Sequence, residues 1–124
     1  MQFILVCLAA LASSVAAYEV STPVTGDRIF LQAGTTITWS AVNTDNPSFD
    51  LWLVNMRHFP NYARRIDQGI NRDAQSYNVQ GVSGVPANDG YQFNFVRRNA
   101  DETEAKERPL AQSKDFIVTG AGII

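Results

Sequence analysis

The chain has 124 residues, of which 45% are hydrophobic and 18% charged, with 10 Lys and Arg against 12 Asp and Glu and a formal charge of −2. That length supports one core and is short for two ordinary domains. So slight a charge bias argues against polyanion binding, so neither nucleic acid nor an anionic membrane surface is an expected partner.

The chain opens MQFILVCLAALASSVAAYEV, an apolar run that closes in small residues, the layout of a secretory leader over residues 1–17. The run is too short to span a bilayer, and every charged side chain follows it. Residues 18–124 are then expected to form a single secreted domain. The one cysteine, Cys7, falls in the leader, so the remainder has no disulfide and no thiolate for catalysis or metal binding, and packing must supply its stability. The closing DFIVTGAGII lacks the polar spacer and long apolar tail of a glycolipid-anchor signal, so no membrane anchor is expected. Asn46-Pro47-Ser48 carries proline in the middle position and is no glycosylation acceptor.

From Tyr18 onward, period-two apolar segments alternate with turn residues and no sustained 3.6-residue period appears, which predicts an all-β sandwich of about seven or eight strands. In chain order the expected strands are Tyr18–Thr22, Arg28–Leu31, Thr35–Val42, Phe49–Asn55, about Ala63–Ile66, Ala74–Val79, Tyr91–Arg97 and Ser113–Thr119. Turn signals separate them at Thr25-Gly26-Asp27, Ala33-Gly34, Thr44 to Pro47, Gly81 to Pro86 and Asn88-Asp89-Gly90. Alternation assigns Ile37, Trp39, Leu51, Leu53, Tyr91, Phe93, Phe95, Phe116 and Val118 to the core.

In the stretch SFDLWLVN, Phe49, Leu51 and Leu53 occupy one face of a strand and Asp50, Trp52 and Val54 the other. Trp52 therefore faces away from the expected core. It is either covered by the Phe59–Tyr62 loop or offered to a partner, and partial exposure beside Arg57 to Arg65 is the expectation. The segment RRNADETEAKERPLAQ, Arg97–Gln112, has Leu110 as its one bulky apolar residue and reads as a solvated loop, in which Glu102 and Lys106 can pair across a helical turn that Pro109 would end.

No catalytic constellation emerges. His58 is the lone histidine and lacks the spaced partners of a metal site, and the expected mature terminus, Ala17 or Tyr18, excludes an N-terminal histidine brace. There is no Gly-x-Ser-x-Gly elbow. Asp50, Asp67, Asp73, Asp89 and Asp115 stand beside turns or on polar strand faces, where solvated surface acids are expected rather than a glycosidase pair. No cofactor and no metal are called for. The candidate binding residues are Trp52, Arg57, His58, Phe59, Tyr62, Arg64 and Arg65, because aromatic rings stack on sugar faces while cationic side chains hydrogen-bond hydroxyls.

The run VSTPVTGDRIFLQAGTTITWSAVNTDNPSFDLWLVN, the later SYNVQGVSGVPANDGYQFNFV and the closing SKDFIV resemble the N-terminal domain of the fungal Kre/Knh cell-wall synthesis proteins, found also in Ser/Thr-rich lipid-anchored surface proteins. The matching features are Pro23, Gly26, Ala33-Gly34, Ile37, Trp39, Pro47, Asp89-Gly90-Tyr91, Ser113 and Phe116. The resemblance implies an immunoglobulin-like or fibronectin-like sandwich at the fungal surface with a role in β-1,6-glucan or wall organisation, and it brings no catalytic residues. The expected function is a non-enzymatic, secreted wall or matrix module that associates with β-glucan or another wall component. The alternative is a secreted protein-interaction module using the same patch or a sheet edge. The partner is thus a cell-wall polysaccharide or a wall protein, and the location extracellular or in the wall.

Overall fold

A computed structural model of the protein describes residues 18–42 and 46–120; the leader read at residues 1–17 and Cys7 lie outside them. Strands β1 (Glu19–Thr22), β3 (Thr35–Ser40) and β6 (Ser76–Val79) form one sheet in the order β1-β3-β6. The other sheet runs β2-β9-β7-β4-β5, built from β2 (Arg28–Ile29), β9 (Phe116–Val118), β7 (Asn88–Val96), β4 (Ser48–Asn55) and β5 (Tyr62–Asn71), with β8 (Ala111–Gln112) added to β7. Among the described residues there are nine strands and one six-residue helix, α1 (Glu102–Glu107). The expected all-β sandwich is present, and the one strand beyond the expected eight is the two-residue piece β8.

Boundaries moved where pairing outweighed local signals. The expected strand Arg28–Leu31 breaks after Ile29 because Leu31–Ala33 closes a 3-10 turn. The short strand expected near Ala63–Ile66 runs the full Tyr62–Asn71, since β4 offers partners from Ser48↔Asn71 to Asn55↔Tyr62. Asn88-Asp89-Gly90, expected as a turn, opens β7 instead, with Asn88 paired to Val118.

The inner faces meet in an aromatic centre. Phe49 of β4 and Phe95 of β7 stack at 4.1 Å, and Tyr18 and Trp39 from the smaller sheet's side each meet both rings edge-on at 5.3–5.5 Å. Trp39 is 3% exposed, as its shared face with Ile37 implies, and its indole N–H donates to the Arg72 carbonyl at 2.9 Å. Large rings thus fill much of the space between the sheets, burial that a domain of this size needs where no disulfide helps.

The outer face of β4 corrects the sequence reading. Trp52 is 7% exposed, packed with Val54, Val96, Ala100 and Ala105, with the half-buried Ala63 against the cluster. Its cover is not the Phe59–Tyr62 loop but the segment after β7, which was expected to be solvated. That segment folds into α1: the Asp101 carboxylate caps the Glu104 amide at 2.9 Å, Arg97 pairs with Glu104, and Lys106 reaches Glu102 at 3.4 Å. Buried Asn94 donates from Nδ2 to the Ala105 carbonyl at 2.8 Å, which ties the helix to the sheet. The charged residues of this segment concealed Ala105 on the helix and Ala100 just before it, both of which pack on the sheet.

Asp50, expected at the surface, is fully buried. Its carboxylate accepts from the amides of Gly69 (3.0 Å) and Asn99 (2.8 Å) and from Arg98 Nε at 2.9 Å. The β4–β5 register slips between Phe49 and Leu51 at this point, so the extra residue on β5 leaves a backbone amide for Asp50 to satisfy. A buried carboxylate costs free energy unless paired and hydrogen-bonded, and here it is both.

Both tryptophans are therefore structural. Trp39→Ala and Trp52→Ala are each expected to destabilise the domain by about 3–5 kcal/mol in denaturant unfolding, the range for deleting a large core aromatic. Trp52→Phe is expected to cost far less. The Trp52 indole N–H is buried without a hydrogen-bonding protein partner, so phenylalanine keeps most of the ring while relieving a desolvated donor.

Candidate functional site

The remaining candidate residues fall into two groups at different places on the larger sheet. Arg57, His58, Phe59 and Tyr62 lie where β4 turns into β5, and Arg64 and Arg65 lie farther along β5. Trp52 joins neither group as a surface residue; it stands directly opposite Arg65 in the β4–β5 register but beneath α1.

The β4–β5 connection is built from its two ends. Asn55, 4% exposed at the end of β4, accepts through Oδ1 from the amides of Arg57 (3.0 Å) and His58 (3.3 Å) and donates from Nδ2 to the Asp89 carbonyl (2.8 Å). At the other end Asn61 donates to the carbonyls of His58 (3.2 Å) and Met56 (3.4 Å). Asparagine suits both positions because its amide both donates and accepts at short range. The result is a loop in which two asparagines bond four backbone groups, the amides of Arg57 and His58 and the carbonyls of Met56 and His58, with Phe59 at its tip.

Charge holds the flank of the loop. His58 Nε2 donates to Asp89 at 2.6 Å, Arg57 Nη1 stands 3.6 Å from the same carboxylate, and Arg57 Nη2 donates to Asp115 at 2.6 Å. The bond from His58 is the main reason that the Asp89 carboxyl lies below its ordinary value, with the charges of His58 and Arg57 adding to it against a smaller cost of burial. A lowered carboxyl favours the folded state above the usual carboxylate range. This contribution fades as pH falls through the lowered value. These side chains are about half exposed, so the effect is local to the loop.

Phe59 is 92% exposed. Below it Tyr62 is half-buried and meets Tyr91 edge-on at 5.8 Å, and the Tyr91 hydroxyl donates to the Pro86 carbonyl at 2.6 Å. Burial, with the neighbouring Tyr62, pushes the Tyr91 phenol up, so it stays a neutral donor. Phe59, Asn61, Tyr62 and Asn88 border a hollow of ≈ 310 Å³ whose floor includes Tyr91. An aromatic tip above a hollow with amide and imidazole groups on its rim can stack on an apolar face and hydrogen-bond the hydroxyls around it. Asn55, Asn61 and Asn88 were missed in the sequence; the Asn-x-Arg-His and Pro-Asn-Tyr contexts held a turn signal, but the partners are 34 residues away for Asn55 and Asp89. Among the described residues no group of three or more His, Cys, Asp and Glu is placed to hold a metal ion.

Arg64 and Arg65 lie outside this hollow. Arg64 Nη1 donates to the Ser83 carbonyl at 2.7 Å, and the Arg65 guanidinium meets the Gln68 amide oxygen at 3.1 Å with that amide turned oxygen-first. They line a second depression with Asp67 and Tyr77.

Gly90 links the loop to β7. Its φ is +84°, and a Cβ there would stand 2.8 Å from the Arg57 Cβ and 3.2 Å from Asn55 Oδ1. Gly90→Ala is expected to cost at least about 1–2 kcal/mol from the left-handed backbone alone. The displaced Arg57 should also loosen the loop. Faster amide exchange at Arg57 and His58 than in the core strands checks this.

The comparisons with known proteins bear on the whole chain. The chain is 37% identical over 115 residues to a UPF0619 GPI-anchored membrane protein of Aspergillus fumigatus, covering 93% of this chain and 50% of that protein. It is 31% identical over 113 residues to an uncharacterized protein of Schizosaccharomyces pombe, covering 90% of this chain and 30% of that one. The chain thus spans half or less of the curated relatives it matches, and no solved structure matches it significantly. The first relative corrects the expectation of no membrane anchor, which rested on the composition of the last residues: a protein similar over 93% of this chain is a GPI-anchored membrane protein. The model of the Kre9/KNH-like N-terminal Ig-like domain matches residues 22–118, and the chain belongs to that family, which is related to fungal cell-wall proteins.

Proposed function

We propose that the chain is a non-enzymatic binding module of the fungal cell surface, delivered by the leader at residues 1–17, that associates with wall β-glucan through the loop carrying Phe59. One observation carries the reading: a phenylalanine is 92% exposed at the tip of a loop that hydrogen bonds from Asn55 and Asn61 hold in shape. An exposed apolar ring on an ordered loop loses little entropy on contact, so most of its burial free energy is available for binding. The flanking Asn61, His58 and Asn88 supply donors and acceptors for ring hydroxyls, and Tyr62 widens the aromatic surface. Membership of a family related to fungal wall proteins supports a wall polymer as the ligand.

The test is pull-down on insoluble β-glucan, with chitin and cellulose as parallel matrices. Burying a phenylalanine contributes about 1.5–3 kcal/mol. Phe59→Ala is therefore expected to weaken glucan retention about tenfold to a hundredfold, while unfolding stability stays within about 0.5 kcal/mol, as for a surface substitution. Retention on none of the matrices, or retention that Phe59→Ala leaves intact, overturns the proposal. Retention that requires wall protein on the matrix and vanishes on stripped glucan assigns the loop to a protein partner.

A further inference from the structure

Among the described residues, five of the ten Lys and Arg side chains pair with a carboxylate. Arg57, Arg72, Arg97 and Arg98 each hold a carboxylate. Arg64 and Arg65 hold only neutral oxygens, those of Ser83 and Gln68. Asp67, two positions along the same strand, would be the obvious partner, but its carboxylate accepts from the Tyr77 hydroxyl and from the Gln68 amide (2.7 Å). Arg64, Arg65, Asp67 and Tyr77 line one depression of ≈ 260 Å³, between β5 at the end of the larger sheet and β6 with the Gln80–Val82 segment at the end of the smaller one.

We infer that this depression is a second binding site, distinct from the Phe59 loop, for a carboxylate-bearing sugar of an acidic polysaccharide. Guanidinium groups match a carboxylate with two parallel N–H···O bonds, and an arginine without an ionic partner gives up none to bind one. Two adjacent cations alone would suit any anion. The rest of the lining narrows the choice: Asp67 and Gln80 accept or donate to hydroxyls, and the half-buried Tyr77 ring offers a surface for a pyranose face. The Tyr77 phenol is pushed up to about 12, mainly by burial and then by the bond to Asp67, so its hydroxyl stays a neutral donor that orients Asp67 at any physiological pH. A hydroxyl-rich ring with a single carboxylate is the ligand that uses every group present.

The site is tested with oligogalacturonate as the acidic-sugar probe, a neutral β-glucan oligosaccharide of equal length, and polyglutamate as the acidic-peptide probe. Oligogalacturonate is expected to bind, to weaken as salt rises, and to shift the amide signals of Arg64–Asp67 and Tyr77–Val82 in the unmodified protein. The double change Arg64→Gln with Arg65→Gln is expected to weaken it at least tenfold, and Tyr77→Phe severalfold. Arg28→Gln with Arg108→Gln, which removes the same two charges elsewhere, and Phe59→Ala are expected to leave it unchanged, which separates this site from the glucan-binding proposal. Absence of oligogalacturonate binding overturns the inference, as does binding that shifts other residues. Equal affinity for polyglutamate overturns it too, since the depression is then a general cationic surface.

Discussion

Strand β4 is buried on both faces, and the rest of the structure is arranged to cover it twice. Seven of its eight residues, Phe49 to Asn55, are buried. On one side Phe49, Leu51 and Leu53 face the opposite sheet, and the stacked Phe49–Phe95 pair meets the edge-on rings of Tyr18 and Trp39. On the other side Trp52 and Val54 need a separate lid, and the excursion between β7 and β8 supplies it. A central strand with large side chains on both faces removes apolar area on both sides of one sheet. That lets a domain without disulfides in its described residues reach a core larger than a two-layer sandwich alone would hold.

Polar groups, not apolar area, position the lid. Ala100 and Ala105 contribute little surface, so the segment is held by Asn94 at the helix carbonyl and by Asp50, which binds Arg98 and the Asn99 amide from beneath. Asp50 also takes the Gly69 amide left over at the β4–β5 bulge, where Gly69 adopts a φ of +67°. One carboxylate thus joins an irregularity within the sheet to the turn that covers it. Such a group is strongly destabilising to remove, because each partner would be left buried and unsatisfied.

The same economy is visible at the end of the sandwich. Asn55 and Gly90 lie on paired strands, with Asn55 opposite Tyr91, and together they bring the Phe59 loop against β7. The loop is thus tied to β7 while its apolar tip faces solvent. The depression bearing Arg64 and Arg65 stands on different strands' edges and has a different chemistry, with unpaired cations where the loop has an aromatic ring.

The all-β class, the inward faces and the family were legible in the sequence, because each depends on period-two alternation and turn residues that neighbouring positions express. Ile37 with Trp39, and Tyr91 with Phe93 and Phe95, are buried as that alternation requires. Much of the candidate set around Phe59 was also visible as a clustering of aromatic and cationic residues. Tertiary structure alone decided what lies over the second face of β4. Trp52 looked like a contact residue because alternation reports only which face a side chain takes, not whether that face meets water, and its cover comes from a polar segment some 50 residues later in the chain. Asp50 looked solvated for the same reason, since its three partners, Gly69, Arg98 and Asn99, come together only when the sheet forms. Local pattern determines the orientation of a side chain; long-range pairing determines what it meets.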